Sequence, residues 1–289
     1  MTSSEKSIHA GVMGWPVAHS RSPLLHGFWL KQYRIDGDYA ALAVTPEDFP
    51  QTFAELPGRG FAGVNITVPH KQAAFDAIIA AGGVVSETAR RLGAVNTVIF
   101  HEDSSVEGDN TDAFGFMENL KEKAPQWNPD GTVTVLGAGG AVRAVCAGLL
   151  EAGVTEIRLV NRSEEKAHEL ARMFGPSVIP VSWDERETSL ADISLLVNGT
   201  SLGMSGSPPL ELSLDPLPKT AVVYDIVYAP LETPLLRTAK ICGNPTVDGL
   251  GMLIHQARPA FEAWFGMLPE VTPELREILE ADIREGETT

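Results

Sequence analysis

A glycine-rich turn carries a strong chemical signal in this sequence. In residues 132–136 valines alternate with threonines, as in a β-strand, and Gly137, Gly139 and Gly140 then lead into a helical pattern. Glycines at such a junction let the backbone approach a phosphate, and the helix beyond adds unpaired N–H groups and a positive dipole end. We interpret the turn as a dinucleotide pyrophosphate site. Val142 stands where the dinucleotide pattern asks for a small residue, so a plain strand-to-helix turn is the alternative.

The tip of the next predicted strand favours NADP over NAD. Residues 156–160 alternate as a strand and end at Asn161-Arg162-Ser163. In dinucleotide-binding folds an acid at this tip binds the ribose 2′-hydroxyl of NAD, whereas an arginine accommodates the 2′-phosphate of NADP. Arg162 stands there, Lys166 adds a second positive charge one turn on, and Ser163 is an N-cap or a phosphate donor. A solvated surface charge is the other interpretation of Arg162.

Polar side chains also gather at predicted helix starts in the first part of the chain. Ser22 before Pro23 is typical of an N-cap followed by a first helical residue, and Ser20 adds a nearby hydroxyl. These hydroxyls would hold a small carboxylate, with plain capping as the alternative. Lys71 falls in the first turn of the helix begun by Pro69. Because a lysine there opposes the helix dipole, it needs a nearby carboxylate or bound anion, unless it is simply exposed.

Further polar residues mark the ends of predicted strands. Asn65 and Thr67 share one face of a predicted strand whose other face carries Val64, Ile66 and Val68, and Asn96 and Thr97 lie at the start of another strand. Asp112 opens a helix, where the helix dipole by itself already favours an acid. Since strands and helices alternate on both sides of a linker at residues 122–130, the sequence predicts an α/β fold with two α/β domains. Ligands are expected in the cleft between them.

Composition limits the class of protein. The chain has 289 residues, enough for two domains, and its net charge of −16 argues against a general nucleic-acid or membrane-surface binder. Cys146, Cys242 and the seven histidines show no metal-binding spacing, so we expect reduced thiols and no metal. Residues 1–7 lack an apolar signal core, and no apolar run approaches the roughly 18 residues of a membrane span. We therefore expect a cytoplasmic protein.

Over nearly its whole length the chain resembles the shikimate dehydrogenase family. The motifs that carry the resemblance are Gly14-Trp15-Pro16 with His19-Ser20-Arg21-Ser22-Pro23, Asn65 to Lys71, Gly93 to Thr97, Gly108 to Asp112, Gly137 to Ala144 with Asn161-Arg162-Ser163, Asn198 to Met204, Tyr224 to Tyr228, and Gly249 to Gln256. Two positions depart from the family. His26 is followed by Gly27 where the family usually has asparagine, and Lys166 stands where some relatives have arginine.

The resemblance implies a fold and an activity. It implies a substrate-binding domain at 1–112, completed by C-terminal helices at 249–289, and a Rossmann-type NADP-binding domain at 113–248. The implied reaction is the reversible NADP-dependent reduction of 3-dehydroshikimate to shikimate, in the chorismate route to aromatic amino acids. Lys71 would be the acid/base catalyst, donating a proton during reduction and accepting one during oxidation, with Asp112 as its partner.

The resemblance also implies the ligand contacts. By matching position, the substrate would be held by Ser20, Ser22, Thr67, Asn96, Asp112, Tyr228 and Gln256. The cofactor would be contacted or flanked by Glu87, Gly137, Ala138, Gly139, Gly140, Ala141, Val142, Asn161, Arg162, Ser163, Lys166, Ile226 and Gly249. The serine hydroxyls suit the substrate carboxylate, whereas Asn65, Thr67, Asn96 and Gln256 are residue types suited to ring hydroxyls.

Two rival functions stay open at this stage. A quinate/shikimate dehydrogenase would use a similar site with wider substrate choice and often NAD, and Arg162 without an acid argues against it. A non-catalytic NADP-binding sensor would not need both Lys71 and Asp112. The oligomeric state is also open, with a homodimer among the options.

Overall fold

The structure is a computed structural model that describes residues 7–287. The predicted lack of a signal core in residues 1–7 falls almost wholly outside this range. The chain divides into two compact units: unit 1 comprises residues up to Thr111 together with Gln256–Leu279, and unit 2 comprises Asp112–His255 together with the residues from Glu280 onward. The two α/β units that the sequence predicts are confirmed, but the linker predicted at residues 122–130 lies within unit 2. The predicted assignment of substrate to 1–112 with 249–289, and of NADP to 113–248, stays a prediction.

Unit 1 is built on a mixed six-stranded sheet in the order β2-β1-β3-β5-β6-β4. Its strands are β1 Ile8–Gly14, β2 Gly37–Ala43, β3 Phe61–Ile66, β4 Val84–Val85, β5 Thr97–Phe100 and β6 Val106–Asp109, and its helices are α1 Ser22–Tyr33, α2 Phe49–Glu55, α3 Lys71–Ala80 and α4 Glu87–Leu92. Strand β1 runs parallel to both β2 and β3. The carboxyl ends of these strands therefore meet at one edge of the sheet, where Ser20, Ser22, Thr67 and Lys71 follow in sequence.

Unit 2 is built on a parallel six-stranded sheet in the order β12-β11-β10-β7-β8-β9. Its elements are α5 Asp112–Lys123, β7 Thr132–Leu136, α6 Gly140–Glu151, β8 Ile157–Val160, α7 Glu164–Phe174, β9 Val178–Val181, β10 Ile193–Asn198, β11 Val222–Asp225, α8 Pro234–Cys242 and β12 Thr246–Val247. Read from the other edge, the strand order is the 3-2-1-4-5-6 order of a dinucleotide-binding fold. The predicted Rossmann-type fold is confirmed, and its switch point lies between β7 and β10.

The last two helices are shared between the units. Helix α9 spans Leu250–Phe265 and α10 spans Pro273–Glu287, and the stretch Gln256–Leu279 belongs to unit 1. Trp264 is buried in unit 1, where its ring N–H donates to the Val98 carbonyl at 2.9 Å. A Cβ on Gly63 would lie 2.0 Å from the same ring nitrogen, so β3 needs glycine at this point of contact. The end of α9 is therefore part of the core of unit 1.

The sheet of unit 2 is covered on both faces. Consecutive residues of β10 point into two separate apolar clusters, Leu195 and Val197 into one and Leu196 into the other. Because both faces of such a strand are buried by helices, nearly all of its consecutive residues are apolar. Thr134 in β7 is buried as well, and its hydroxyl donates to the Ser189 carbonyl at 2.7 Å. The valine–threonine alternation of β7 therefore does not separate a buried face from an exposed one.

Three local predictions are wrong. Ser22 is not the N-cap of α1, because the helix begins at Ser22 and the cap position is held by Arg21 without a side-chain hydrogen bond. Pro69 does not begin the helix of Lys71, because α3 begins at Lys71 and its cap position is held by His70. Val68 does not share the buried face of Val64 and Ile66, because β3 ends at Ile66. Val68 is 69% exposed, whereas Val64 and Ile66 are fully buried. The sequence patterns therefore place the start of α1 too late, the start of α3 too early and the end of β3 too late.

Candidate active site

The turn after β7 has the geometry of a phosphate-binding loop. Gly137 has φ +106°, and a Cβ there would approach the Gly199 carbonyl oxygen to 3.0 Å, so glycine is required. A Cβ on Gly139 or Gly140 would meet no atom within 4 Å, and both residues are exposed. The N-terminus of α6 has no side-chain cap. Its first N–H groups therefore face open space and fit a pyrophosphate.

The departure at Val142 has a structural explanation. Val142 is fully buried, and a Cβ on Gly199 would lie 2.3 Å from its Cγ2 atom. In most dinucleotide sites a small residue on the helix allows the helix to pack closely against the neighbouring strand. Here the small residue is Gly199, which faces the helix from the segment just after β10. The helix and the strand ends can then approach as closely as the dinucleotide pattern requires.

The tip of β8 presents the predicted cationic residues. The Gly137 N–H donates to the Val160 carbonyl at 2.8 Å, which sets the tip of β8 beside the glycine turn. Arg162 and Lys166 are exposed there. Ser163 occupies the N-cap position of α7 without a side-chain capping bond, and Asn161 Nδ2 donates to the Ser163 carbonyl at 2.8 Å. Two cations and a hydroxyl that does not cap the helix fit the 2′-phosphate of NADP.

The remaining residues of unit 2 that are predicted to contact the cofactor follow β11 and β12. A Cβ on Gly249 would lie 2.1 Å from the Ile226 carbonyl oxygen, so only glycine permits these two backbone segments to meet. The Ile226 N–H donates to the Asn198 carbonyl at 3.0 Å, and Tyr228 is half-buried just beyond. Ile226 and Gly249 are therefore brought together at the carboxyl ends of the strands next to the switch point, where ligands bind in such sheets.

A buried carboxylate that sequence reasoning missed holds this region in place. Asp225 is fully buried, and its Oδ1 accepts from Asn198 Nδ2 at 3.0 Å and from the Val227 N–H at 3.1 Å. Its Oδ2 accepts from the Thr233 hydroxyl at 2.7 Å. Burial raises the pKa of Asp225 to about 6, although these hydrogen bonds lower it in part. The signal in the sequence is an acid at the end of an apolar strand, within a motif of the family resemblance.

In unit 1 the start of α3 is held rigidly around Lys71. Lys71 is the first helical residue and is half-buried. The N-cap residue His70 is buried, with its Nε2 2.7 Å from the Val44 carbonyl and its ring stacked on Phe49. The Lys71 carbonyl accepts from the Val95 N–H at 2.9 Å. A backbone hydrogen bond thus joins Lys71 to the segment that carries Asn96.

Asn96 lies at the centre of a buried polar network. Its Oδ1 accepts from the Thr97 hydroxyl at 3.0 Å and from the Thr111 N–H at 2.9 Å. The Thr111 hydroxyl lies 3.2 Å from the same oxygen and 2.8 Å from the Gln256 carbonyl oxygen. The structure therefore brings Asn96 and Gln256, two of the predicted substrate contacts, to the same place in unit 1.

Asn65 has a structural role, whereas the sequence suggests that it binds a ring hydroxyl of the substrate. It is buried, its Nδ2 donates to the Asn96 carbonyl at 3.1 Å and to the Thr97 hydroxyl at 3.2 Å, and its Oδ1 accepts from the Tyr39 hydroxyl at 2.7 Å. Both amide hydrogens and the carbonyl are therefore used within the protein. Asn65 supports the network, whereas Thr67, two residues on, is half-buried beyond the strand end.

The other predicted residues lie where their elements begin. Ser20 Oγ accepts from the Ser22 N–H at 3.3 Å, and Ser22 is buried. Asp112 is the first residue of α5, in unit 2, and is 7% exposed. Glu87 is the first residue of α4, in unit 1, and is exposed.

Within residues 7–287, no group of three or more His, Cys, Asp or Glu side chains could hold a metal ion. In the same range no helix is long and apolar enough to cross a membrane. Both cysteines are free thiols, and burial raises the pKa of Cys146 to about 12. A thiol of this kind is unreactive at neutral pH.

Comparisons with known proteins agree on one family. The family model described as the shikimate dehydrogenase substrate binding domain matches residues 12–98, that of shikimate / quinate 5-dehydrogenase matches 119–204, and that of the shikimate 5′-dehydrogenase C-terminal domain matches 249–273. A curated relative, shikimate dehydrogenase (NADP(+)) of Rhodospirillum rubrum, is 56% identical over 272 residues, covering 92% of this chain and 95% of the relative.

Two solved structures are similar over the whole chain. Shikimate 5-dehydrogenase from Thermus thermophilus, in complex with NADP(H) and shikimate, has a TM-score of 0.83 and 38% identity, covering 96% of this chain and 99% of that one. Quinate dehydrogenase from Corynebacterium glutamicum, in complex with NAD, has a TM-score of 0.87 and 32% identity, covering 95% and 99%. With its dinucleotide-type strand order, its open glycine turn and these matches, the chain belongs to the shikimate dehydrogenase family.

Proposed function

We propose that this protein is an NADP-dependent shikimate dehydrogenase, which interconverts shikimate and 3-dehydroshikimate. Unit 1 would bind the substrate and unit 2 the cofactor. The observation that carries the proposal is the open glycine turn at the switch point, followed at the tip of β8 by Arg162 with no acid beside it. The similarity to relatives named for shikimate and NADP(+) supports the same assignment.

The cofactor would be held by unit 2. Its pyrophosphate would accept hydrogen bonds from the N–H groups of residues 137–141, and its 2′-phosphate would lie against Arg162, Ser163 and Lys166. Ile226 and Gly249 would flank its nicotinamide end. When bound, NADP accepts or returns the hydride. Glu87 stays a further candidate for contact with the cofactor. Asn161, whose amide is bonded to the Ser163 carbonyl, would fix the shape of the 2′-phosphate site.

Lys71 is proposed as the acid/base catalyst. Oxidation of a secondary alcohol to a ketone releases one proton from the hydroxyl oxygen, and the reverse reaction returns it. A lysine amine can accept that proton and, once charged, can stabilise the alkoxide that hydride arrival creates. The half-buried position of Lys71 and the rigid start of α3 favour a fixed amine. Asp112, a buried carboxylate, is proposed to act with Lys71 as the second member of the catalytic pair.

The substrate would be recognised by hydroxyl and amide groups. Ser20 and Ser22 are proposed to hold its carboxylate, and Thr67, Asn96, Asp112, Tyr228 and Gln256 its ring hydroxyls. Sites of this type discriminate strongly, because a ligand that lacks a hydroxyl leaves buried polar groups unpaired. We also propose that the enzyme serves aromatic amino-acid biosynthesis through chorismate and acts in the cytoplasm, as its family resemblance and free thiols suggest.

Oxidation of quinate with NAD is the second candidate function, favoured by the similarity to the quinate dehydrogenase structure. Initial rates with shikimate or quinate, each combined with NADP or NAD, separate the two. We expect shikimate with NADP to give the highest kcat/KM by at least about tenfold, the ratio that about 1.4 kcal/mol of differential binding produces. Highest activity with quinate and NAD would replace the first proposal with the second. Cofactor binding without oxidation of either acid would indicate a non-catalytic sensor.

A further inference from the structure

We propose that Tyr39 is a positioning residue for substrate binding, because its hydroxyl fixes the Asn65 amide, which in turn holds Asn96. The inference rests on the proposed function, since Asn96 is proposed there as a contact for a ring hydroxyl of the substrate. Nothing in the motif analysis marks Tyr39, which lies in β2 among small and apolar residues.

The sheet register explains how Tyr39 reaches this network. Tyr39 pairs with Ala10 on β1, and Ala10 pairs with Gly63 on β3, two residues before Asn65. Paired residues of neighbouring strands point to the same face, as do residues two apart on one strand. Ala10 and Gly63 offer only a methyl group and a hydrogen on this face, which leaves room for the tyrosine ring to cross β1 toward Asn65. Its hydroxyl donates to Asn65 Oδ1 at 2.7 Å.

The hydrogen bond from Tyr39 fixes the orientation of the Asn65 amide. Asn65 Oδ1 accepts the tyrosine proton, so Nδ2 faces the other way, toward the Asn96 carbonyl and the Thr97 hydroxyl. Without the tyrosine hydroxyl, Oδ1 would lose its buried donor and the amide would no longer be held in this orientation.

From Asn65 the network continues to Asn96, a proposed substrate contact. Asn65 donates to the Thr97 hydroxyl and to the Asn96 carbonyl, and the Asn96 side chain accepts from Thr111. One hydrogen-bonded series therefore runs from Tyr39 through Asn65 to Asn96. Coupled polar groups of this kind hold one arrangement more firmly than separate pairs do.

The ring of Tyr39 is held independently of its hydroxyl. It stacks on His26 with 4.0 Å between ring centroids and 4° between planes, and Trp264 lies 6.1 Å away. Burial lowers the pKa of His26 to about 3, so this partner is neutral. Tyr39→Phe should therefore keep the ring in place and remove only the hydroxyl with its hydrogen bond to Asn65.

Steady-state kinetics of the full-length Y39F variant test the proposal. We expect KM for shikimate to rise about tenfold, because Asn96 loses the hydrogen-bonded support that holds it ready for the substrate, with kcat and KM for NADP within about twofold of wild type. A purely structural role would lower the melting temperature and the active fraction, and hence apparent kcat, without changing KM for shikimate.

Tyr33→Phe is the matched control. Tyr33 is also in unit 1, its hydroxyl accepts from the Glu270 N–H at 3.0 Å, and its ring lies near Phe261. The Y33F variant should keep the wild-type KM for shikimate. A wild-type KM in Y39F, or an equal rise of KM in both variants, would overturn the inference. Failure of the wild-type protein to oxidise shikimate would instead refute the proposed function, so the two failures are distinguishable.

Discussion

Gly139→Ala tests whether the glycine turn of unit 2 binds the cofactor phosphate. The structure predicts a small effect on folding, because the added methyl group would meet no atom within 4 Å and the backbone at φ −84° suits any residue. The main cost is the weaker N-cap preference of alanine, about 1 kcal/mol. For a unit of this size that corresponds to a fall in melting temperature of about 2–4 °C.

The effect on the cofactor should be larger than the effect on folding. The empty space beside Gly139 is where a pyrophosphate must approach the N-terminus of α6, so the methyl group and the phosphate compete for it. A misfit of this kind costs about 1–3 kcal/mol, which raises KM for NADP by about 5- to 150-fold. The assay is the initial rate at saturating shikimate with varied NADP, together with thermal unfolding without cofactor.

Gly27→Ala supplies the control for this experiment. Gly27 lies inside α1, and a Cβ there also meets no atom within 4 Å. Alanine should stabilise this helix by up to about 1 kcal/mol and leave KM for NADP unchanged. If Gly139→Ala leaves KM for NADP at the wild-type value, the turn does not contact the phosphate and our account of cofactor binding is wrong.

Two further substitutions test the cofactor site and the buried carboxylate. Arg162→Ala should raise KM for NADP about 10- to 100-fold, the loss of charge-assisted hydrogen bonds of about 1.5–3 kcal/mol, while KM for NAD changes little; equal changes for both cofactors would exclude recognition of the 2′-phosphate. Burial raises the pKa of Asp225 from its ordinary value to about 6, so folding favours the protonated form of this side chain. Its contribution to stability is therefore present below about pH 4 and is lost as the pH rises through 6. As the pH rises from 4 to 7, the free energy of unfolding of Asp225→Asn, measured with urea, should therefore increase relative to that of wild type by up to about 3 kcal/mol. A constant difference across that range would contradict the raised pKa.

Regular elements and the glycine turn could be predicted from the sequence because their causes are local. The short apolar runs Ile8–Gly14 and Val178–Val181, which can be read directly from the sequence, form strands over those same residues. The glycine turn after β7 is also local, because the positive φ of Gly137 depends on its own backbone. Strand order, however, depends on which apolar faces meet, and the sequence shows this only through the alternation of strands and helices.

The supporting residues of the site could not be predicted in the same way. Tyr39 and Asn65 lie on strands separated by β1, and only the sheet register brings the hydroxyl to the amide. Ser22 has the local pattern of an N-cap, but α1 begins at Ser22 itself and its side chain is buried by the rest of unit 1. Val142 breaks the dinucleotide pattern in sequence, and Gly199 compensates for it in space. Tertiary contacts decide each of these cases, and local propensity carries no information about them.

The central claim is that Lys71 handles the proton in an NADP-dependent oxidation of shikimate. The most direct measurement is kcat and KM for shikimate in Lys71→Ala, at saturating NADP, beside the wild-type enzyme. We expect kcat to fall by about 10² or more, the usual contribution of acid–base catalysis, with a much smaller change in KM for shikimate. Turnover close to the wild-type value would remove Lys71 from the mechanism and contradict the account.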